Sequence, residues 1–169
     1  NQYPPQSDKM RIYTNGFERD ELVSAAEFSS AGSGGKRTFA YAGQFDYGRN
    51  PRPFMKALSE LLEEKALSRE EIRVVFMSNL EIGGDSIERM ARDYSLHDVV
   101  RCTGYIPYDQ CMSEMRRADV LLLFSIRQPL QIPAKLYEYI ALGKPILSIS
   151  TGGVTDEIVD RTGTGINVK

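Results

Sequence analysis

From residue 38 onward, short apolar runs alternate with stretches in which apolar residues return every three or four positions. The runs are TFAYAG (38–43), RVVFMS (73–78), VVRCTG (99–104), VLLLF (120–124) and PILSIS (145–150). As a set they are short and near-continuously apolar, the pattern of strands covered on both faces. The stretches between them predict helices over 52–65, 85–94, 108–117, 133–142 and 154–161. Strands that alternate with helices in this way predict an α/β fold, a doubly wound parallel sheet with helices on both faces. Upstream, MRIYTNGF (10–17) reads as a strand and an Asn-Gly turn, and SSAGSGGK (29–36) as a linker. The expected organisation is a strand-and-linker region over 1–37 and one α/β domain over 38–169. Ligands of such folds bind beyond the carboxyl ends of the strands, which turns attention to the strand-to-helix loops.

Composition adds little except exclusions. At 169 residues the chain is expected to hold one full hydrophobic core. A net charge of -2 with charges of both signs gives no global field toward nucleic acid or an anionic membrane. Cys102 and Cys111 have no spacing that suggests a metal site or a disulfide framework, so a reducing, cytoplasmic setting is expected. VLLLF is far shorter than the roughly 20 residues that span a bilayer, and the N-terminus has no signal-like apolar core. Because it starts without Met, the chain reads as an excised piece or a processed product.

Two loops carry the candidate chemistry. GQFDYGRNP (43–51) has glycines at Gly43 and Gly48 for close backbone approach, and Arg49 just before a Pro-led helix, an arrangement suited to a phosphate. Neither GxGxxG nor GxxxxGK[ST] is present, so the loop can equally be a plain turn. In IPAKLYEYIALGKPI (132–146), Pro133 fits a first helical position. That leaves the N–H groups of Ala134, Lys135 and Leu136 near the positive pole, with the charge of Lys135 added. Glu138 follows Lys135 by three residues, close to one turn, where its carboxylate can accept from a pair of sugar hydroxyls. An ordinary surface Lys–Glu pair is the competing reading. His97, the only histidine, has no partner cluster, and Ser125 and Ser150 lie outside any GxSxG, so none of the three points to nucleophilic or metal chemistry.

The order of segments resembles the C-terminal half of a group 1, or family 4, glycosyltransferase of the GT-B type. The residues that carry the resemblance are RIYTNGF, YAGQFDYGRNP, GYIPYDQCMSEMRRADVLLLFS, PAKLYEYIALGKPILSI and GGVTDEIVDRTGTGINV, which together cover nearly the whole chain. The resemblance implies a lobe that binds a nucleotide-diphosphate sugar, with no metal and no cofactor. Glu138 matches the glutamate that binds the ribose, with Gly143 and Pro145 in register after it. The family's earlier glutamate is replaced by Leu130, so contacts to the transferred sugar fall to neighbours such as Gln131. The family's arginine after the first strand's glycine is Gln44 here, and its lysine five residues on is Arg49. Phosphate contacts are therefore expected from Arg49, Lys135, Gln44 and backbone N–H groups near Gly43, Ala134 and Leu136. GYIP (104–107) matches the loop that holds the nucleobase, making Tyr105 and Ile106 candidates.

As catalytic residues the resemblance implies Glu138, Lys135 and Arg49, acting on the diphosphate as leaving group, with retention of configuration expected as the family's habit. The acceptor, a saccharide or a lipid-linked sugar, belongs mainly to an N-terminal lobe of the full-length protein, so the lobe alone is expected to transfer nothing. A cytoplasmic protein is implied, with a peripheral place at the inner membrane face open to the full-length enzyme. Two other readings stay open: a nucleotide-sugar epimerase of similar two-lobed fold, and a degenerate, non-catalytic nucleotide-sugar-binding module.

Overall fold

The computed structural model describes residues 11, 15–17 and 35–169. The expected strand within 10–17 and most of the linker lie outside these residues. From Arg37 onward strands and helices alternate as β1 (Arg37–Ala42), α1 (Arg52–Glu63), β2 (Ile72–Met77), α2 (Ile87–Asp93), β3 (Val100–Cys102), α3 (Tyr108–Arg117), β4 (Val120–Ser125), α4 (Ala134–Leu142), β5 (Ile146–Ser150), α5 (Val154–Thr162) and β6 (Gly165–Val168). The strands form one six-stranded sheet in the order β3-β2-β1-β4-β5-β6, every pair parallel. The expected fold class is therefore the observed one, a Rossmann-like doubly wound sheet.

Alternate residues of the inner strands feed two separate cores, which is why the strands read as unbroken apolar runs. Tyr41, Val74, Phe76, Leu122 and Phe124 face α1 and α2, where Met55, Leu58, Leu62, Ile87 and Met90 meet them. Ala40, Ala42, Val75, Met77, Leu121 and Leu123 face α3, α4 and α5, against Met112, Met115, Leu136, Tyr139 and Val159. The first core is aromatic at its upper end: the Phe45 ring stacks on Tyr41 at 4.7 Å and meets Phe76 edge-on at 5.2 Å.

Local differences from the sequence reading have local causes. Helix α4 begins at Ala134 and uses Pro133 as its extended N-cap, one residue later than the sequence suggests, and ends on Gly143 in the left-handed conformation at φ 64°. Asp85 and Ser86, expected to open a helix, instead form the second strand of a ribbon that pairs them with Glu81–Ile82, and Ser86 then caps α2 by accepting from the N–H of Arg89. Strand β6 is an addition to the five expected strands. No described helix is long and apolar enough to cross a membrane.

Candidate functional site

Strand order reverses between β1 and β4, and there the two strands part. Their register covers only Phe39↔Val120 and Ala40↔Leu121. Farther toward the carboxyl end, the N–H of Ala42 goes instead to the hydroxyl of Tyr139 on α4, at 3.2 Å, with Tyr139 fully buried. Burial pushes the Tyr139 phenol far up, so it stays protonated. This opens the crevice that a doubly wound sheet offers to ligands. One wall is the β1–α1 loop (43–51); the other is the β4–α4 loop and the first turns of α4.

The two loops touch. Gly48 donates nothing to the far wall, but its carbonyl accepts from the N–H of Ile126 at 2.7 Å. A Cβ on Gly48 would lie 2.4 Å from the amide nitrogen of Gln128, so glycine is what lets the walls approach this closely. Gly43, at φ 152°, sits where an added Cβ would meet the Tyr41 hydroxyl at 3.0 Å. That hydroxyl donates to the carbonyl of Gln44 at 3.1 Å. Burial drives the Tyr41 phenol up despite the opposing pull of Arg49, and the hydroxyl also senses Asp46 and Tyr105.

Arg49 lies at the crevice edge and is already engaged. Its Nε donates to Asp46 Oδ2 at 3.0 Å, and its Nη2 donates to the same oxygen. Burial works to raise the Asp46 pKa, but the Arg49 hydrogen bond and charge, with the N–H groups of Gly48 and Arg49, outweigh it and hold the carboxyl below its ordinary range. The hydrogen bond to Asp46 in turn raises Arg49. On the opposite wall Lys135 Nζ donates to Glu138 Oε2 at 2.8 Å and lies 5.8 Å from the centre of the Tyr108 ring at the start of α3. Both side chains of this pair are largely, though not fully, covered.

The remaining candidates fall into distinct groups. Gln44, Gln131 and Ala134 are exposed on the two walls, and the carbonyl of Gln131 accepts from the Thr155 hydroxyl at 2.9 Å, which ties the β4–α4 loop to α5. Leu136 is fully buried, and its N–H bonds to the carbonyl of Pro133 at 3.0 Å. Of the three N–H groups expected at the pole, those of Ala134 and Lys135 are left in the first turn, without a carbonyl one turn back. Tyr105 is 71% exposed on the β3–α3 loop, while Ile106 packs partly into the second core. Leu130 is 88% exposed at the tip of the β4–α4 loop, and Tyr47 is 86% exposed on the β1–α1 loop.

Sequence reasoning missed Asp46, Asp85 and Tyr139. Asp85 pairs with Arg52 at the start of α1. The signal for Asp46 was present as an Asx turn, Asp followed two and three residues later by N–H groups that fold back onto it. No local pattern marks Asp85 or Tyr139, whose partners lie on distant segments.

The architecture and the chain have known counterparts. A family model described as "Glycosyl transferases group 1" matches residues 24–169. No curated protein matches the chain by sequence. Among solved structures, WaaG, a glycosyltransferase involved in lipopolysaccharide biosynthesis, is similar at 17% identity and a TM-score of 0.71 over 96% of this chain and 43% of its own. A trehalose-6-phosphate structure from E. coli bound with UDP-2-fluoro glucose is similar at 15% identity and a TM-score of 0.64, over 90% of this chain and 39% of that one. MnaA of S. aureus, in a co-structure with UDP, gives 12% identity and a TM-score of 0.54, over 89% of this chain and 36% of its own. The chain thus spans about two-fifths of the length of these proteins.

Proposed function

The chain belongs to the group 1 glycosyltransferases and has the Rossmann-like fold of a GT-B lobe, and from that premise we propose that it is the donor lobe, binding a nucleotide-diphosphate sugar in the crevice between β1 and β4. The observation that carries the reading is the Lys135–Glu138 pair, a cation and a carboxylate 2.8 Å apart in the opening turns of α4, where the sheet order reverses. A bound donor separates the pair. Lys135, with the N–H groups of Ala134 and its own backbone, takes the diphosphate at the positive helix end, and Glu138 accepts from the ribose hydroxyls. UDP-2-fluoro glucose and UDP in two proteins of similar fold support a ligand of this class.

The same contacts serve catalysis. Negative charge grows on the diphosphate as the glycosidic bond breaks, so a cation and oriented N–H groups fixed beside it stabilise the transition state more than the bound substrate. Arg49 and Gln44 supply the β1 side of the seat, Tyr105 and Ile106 border the base, and Gln131 beside Leu130 meets the sugar. The acceptor, a saccharide or lipid-linked sugar, belongs to a second lobe of the full-length protein, with transfer retaining the anomeric configuration and this lobe alone inactive.

Calorimetric titration with UDP, GDP, ADP and TDP tests the reading. One nucleotide binds, and Glu138→Ala weakens it about tenfold, the scale of a lost charge-assisted hydrogen bond. Failure of all four to bind the folded, intact protein overturns the reading.

A further inference from the structure

The carboxylate of Asp46 sits in the middle of the donors that the β1–α1 loop offers to an anion. Oδ1 accepts from the N–H of Gly48 at 2.8 Å and of Arg49 at 2.9 Å, while Oδ2 accepts from Nε of Arg49 at 3.0 Å and from its Nη2. Successive backbone N–H groups beside a guanidinium fork make a seat that suits a phosphate oxygen as well as a carboxylate. Here the seat is filled from within. The rim's other engaged cations are matched likewise, Lys135 by Glu138 and Arg52 by Asp85.

We propose that Asp46 is an internal competitor for the phosphate seat, holding Arg49 and the Gly48–Arg49 backbone until a nucleoside diphosphate takes them. The inference rests on the donor-lobe reading above and concerns how tightly that site binds. Two features favour exchange over a permanent structural tie. Asp46 and Arg49 keep 36% and 33% of their side-chain surface exposed, so the pair separates into water and not into the core. The turn also has its own backbone closure, the Arg49 N–H to the Asp46 carbonyl at 3.1 Å, which persists without the carboxylate. While the carboxylate is charged, an arriving phosphate meets a pair of zero net charge and a nearby negative oxygen; it gains Arg49 only by displacing Asp46.

Asp46→Asn is the informative variant, because the amide oxygen can still cap the Gly48 and Arg49 N–H groups while the negative charge is gone. The intact protein and the variant are titrated with UDP, GDP, ADP, TDP and inorganic pyrophosphate. The variant binds the preferred nucleotide about fivefold tighter, the size of a partly exposed ion pair, gains similarly for pyrophosphate, and loses the gain when Arg49→Gln is added. Equal or weaker binding by Asp46→Asn, with wild-type binding intact and sensitive to Glu138→Ala, overturns the competitor and leaves the donor reading standing. Absence of binding by both proteins overturns both. If the variant does not fold, the Arg49 Nε–H resonance of the wild type decides: a shift on saturation with nucleotide supports exchange, and an unmoved resonance overturns it.

Discussion

The two walls of the crevice carry the same kind of device on different foundations. Each has a basic side chain matched to an acid three residues away, Asp46 with Arg49 on one side and Lys135 with Glu138 on the other. On the β4 side the pair stands on a helix whose inward residues, Leu136 and Tyr139, are fully buried. On the β1 side it stands on a loop anchored by the Phe45 ring and by hydrogen bonds at Gln44, Phe45 and Gly48, and its acid also consumes the loop's backbone donors. The helix-borne carboxylate accepts from the Lys135 ammonium, whereas the loop-borne one accepts from its cation and from the backbone N–H groups of Gly48 and Arg49 as well. An ion pair at a binding crevice therefore says little until the fate of the neighbouring N–H groups is known.

The comparison breaks first if the Phe45 ring contributes little to holding the loop. Phe45 is 2% exposed and contacts Tyr41, Phe76 and Phe124. Phe45→Ala should lower stability by about 3 to 4 kcal/mol, read as a fall in the urea midpoint at unchanged slope. A loss below about 1 kcal/mol would mean that the loop does not depend on this ring. On the other wall, Tyr139→Phe removes the hydroxyl that accepts from Ala42 and strands a buried N–H, for an expected cost of about 1 to 2 kcal/mol. Nucleotide affinity should fall with it, since α4 loses its tie to the end of β1; unchanged stability and affinity would show that the parting strands need no such bridge.

The smallest expected effect separates the walls by pH. The folded pKa of Asp46 is depressed below the about 3.9 of an unfolded aspartate, so its stabilising contribution is complete above that value and is lost as pH falls through the lower, folded one. Compared between pH 5 and pH 3, the urea-derived stability of the wild type should drop more than that of Asp46→Asn. The difference stays under about 1 kcal/mol because the pair is partly exposed to solvent. Identical acid slopes would deny the carboxylate its role in holding the loop.

Legibility from sequence followed how local each feature is. Five apolar runs and five amphipathic stretches located the strands and helices to within a few residues; the signature is clearest in the central β1, β2 and β4, buried on both faces, and weakest in the edge strand β3, whose Arg101 is exposed. GINV at the chain's end did not register: it is short, opens with glycine, and Ile166 and Val168 face solvent on an edge strand. Asp85–Ser86, the second strand of the ribbon, falls at the start of the stretch that predicts a helix over 85–94, since a two-residue strand shows no period and Ser86 carries a genuine helix cap. At the site, the Lys135–Glu138 contact was legible from helical spacing alone. Asp46 was overlooked because an Asx turn leaves no periodic trace.

Sequence by itself determined the α/β class, the covering of the sheet on both faces, the positive start of α4 and the family resemblance. All of these rest on neighbours within a turn or a strand, or on the order of motifs. Only the tertiary structure decided which strands lie side by side, and so which loops share a crevice. Pairing of β1 with β4 joins segments some eighty residues apart, as in the Thr38 N–H to Asp119 bond, and no local pattern selects it. The same long-range choice parts the two strands beyond Ala40, gives Ala42 to Tyr139, and presses Gly48 against Gln128. Backbone groups left without a ladder partner must find another, and in this chain their search for one shapes the crevice.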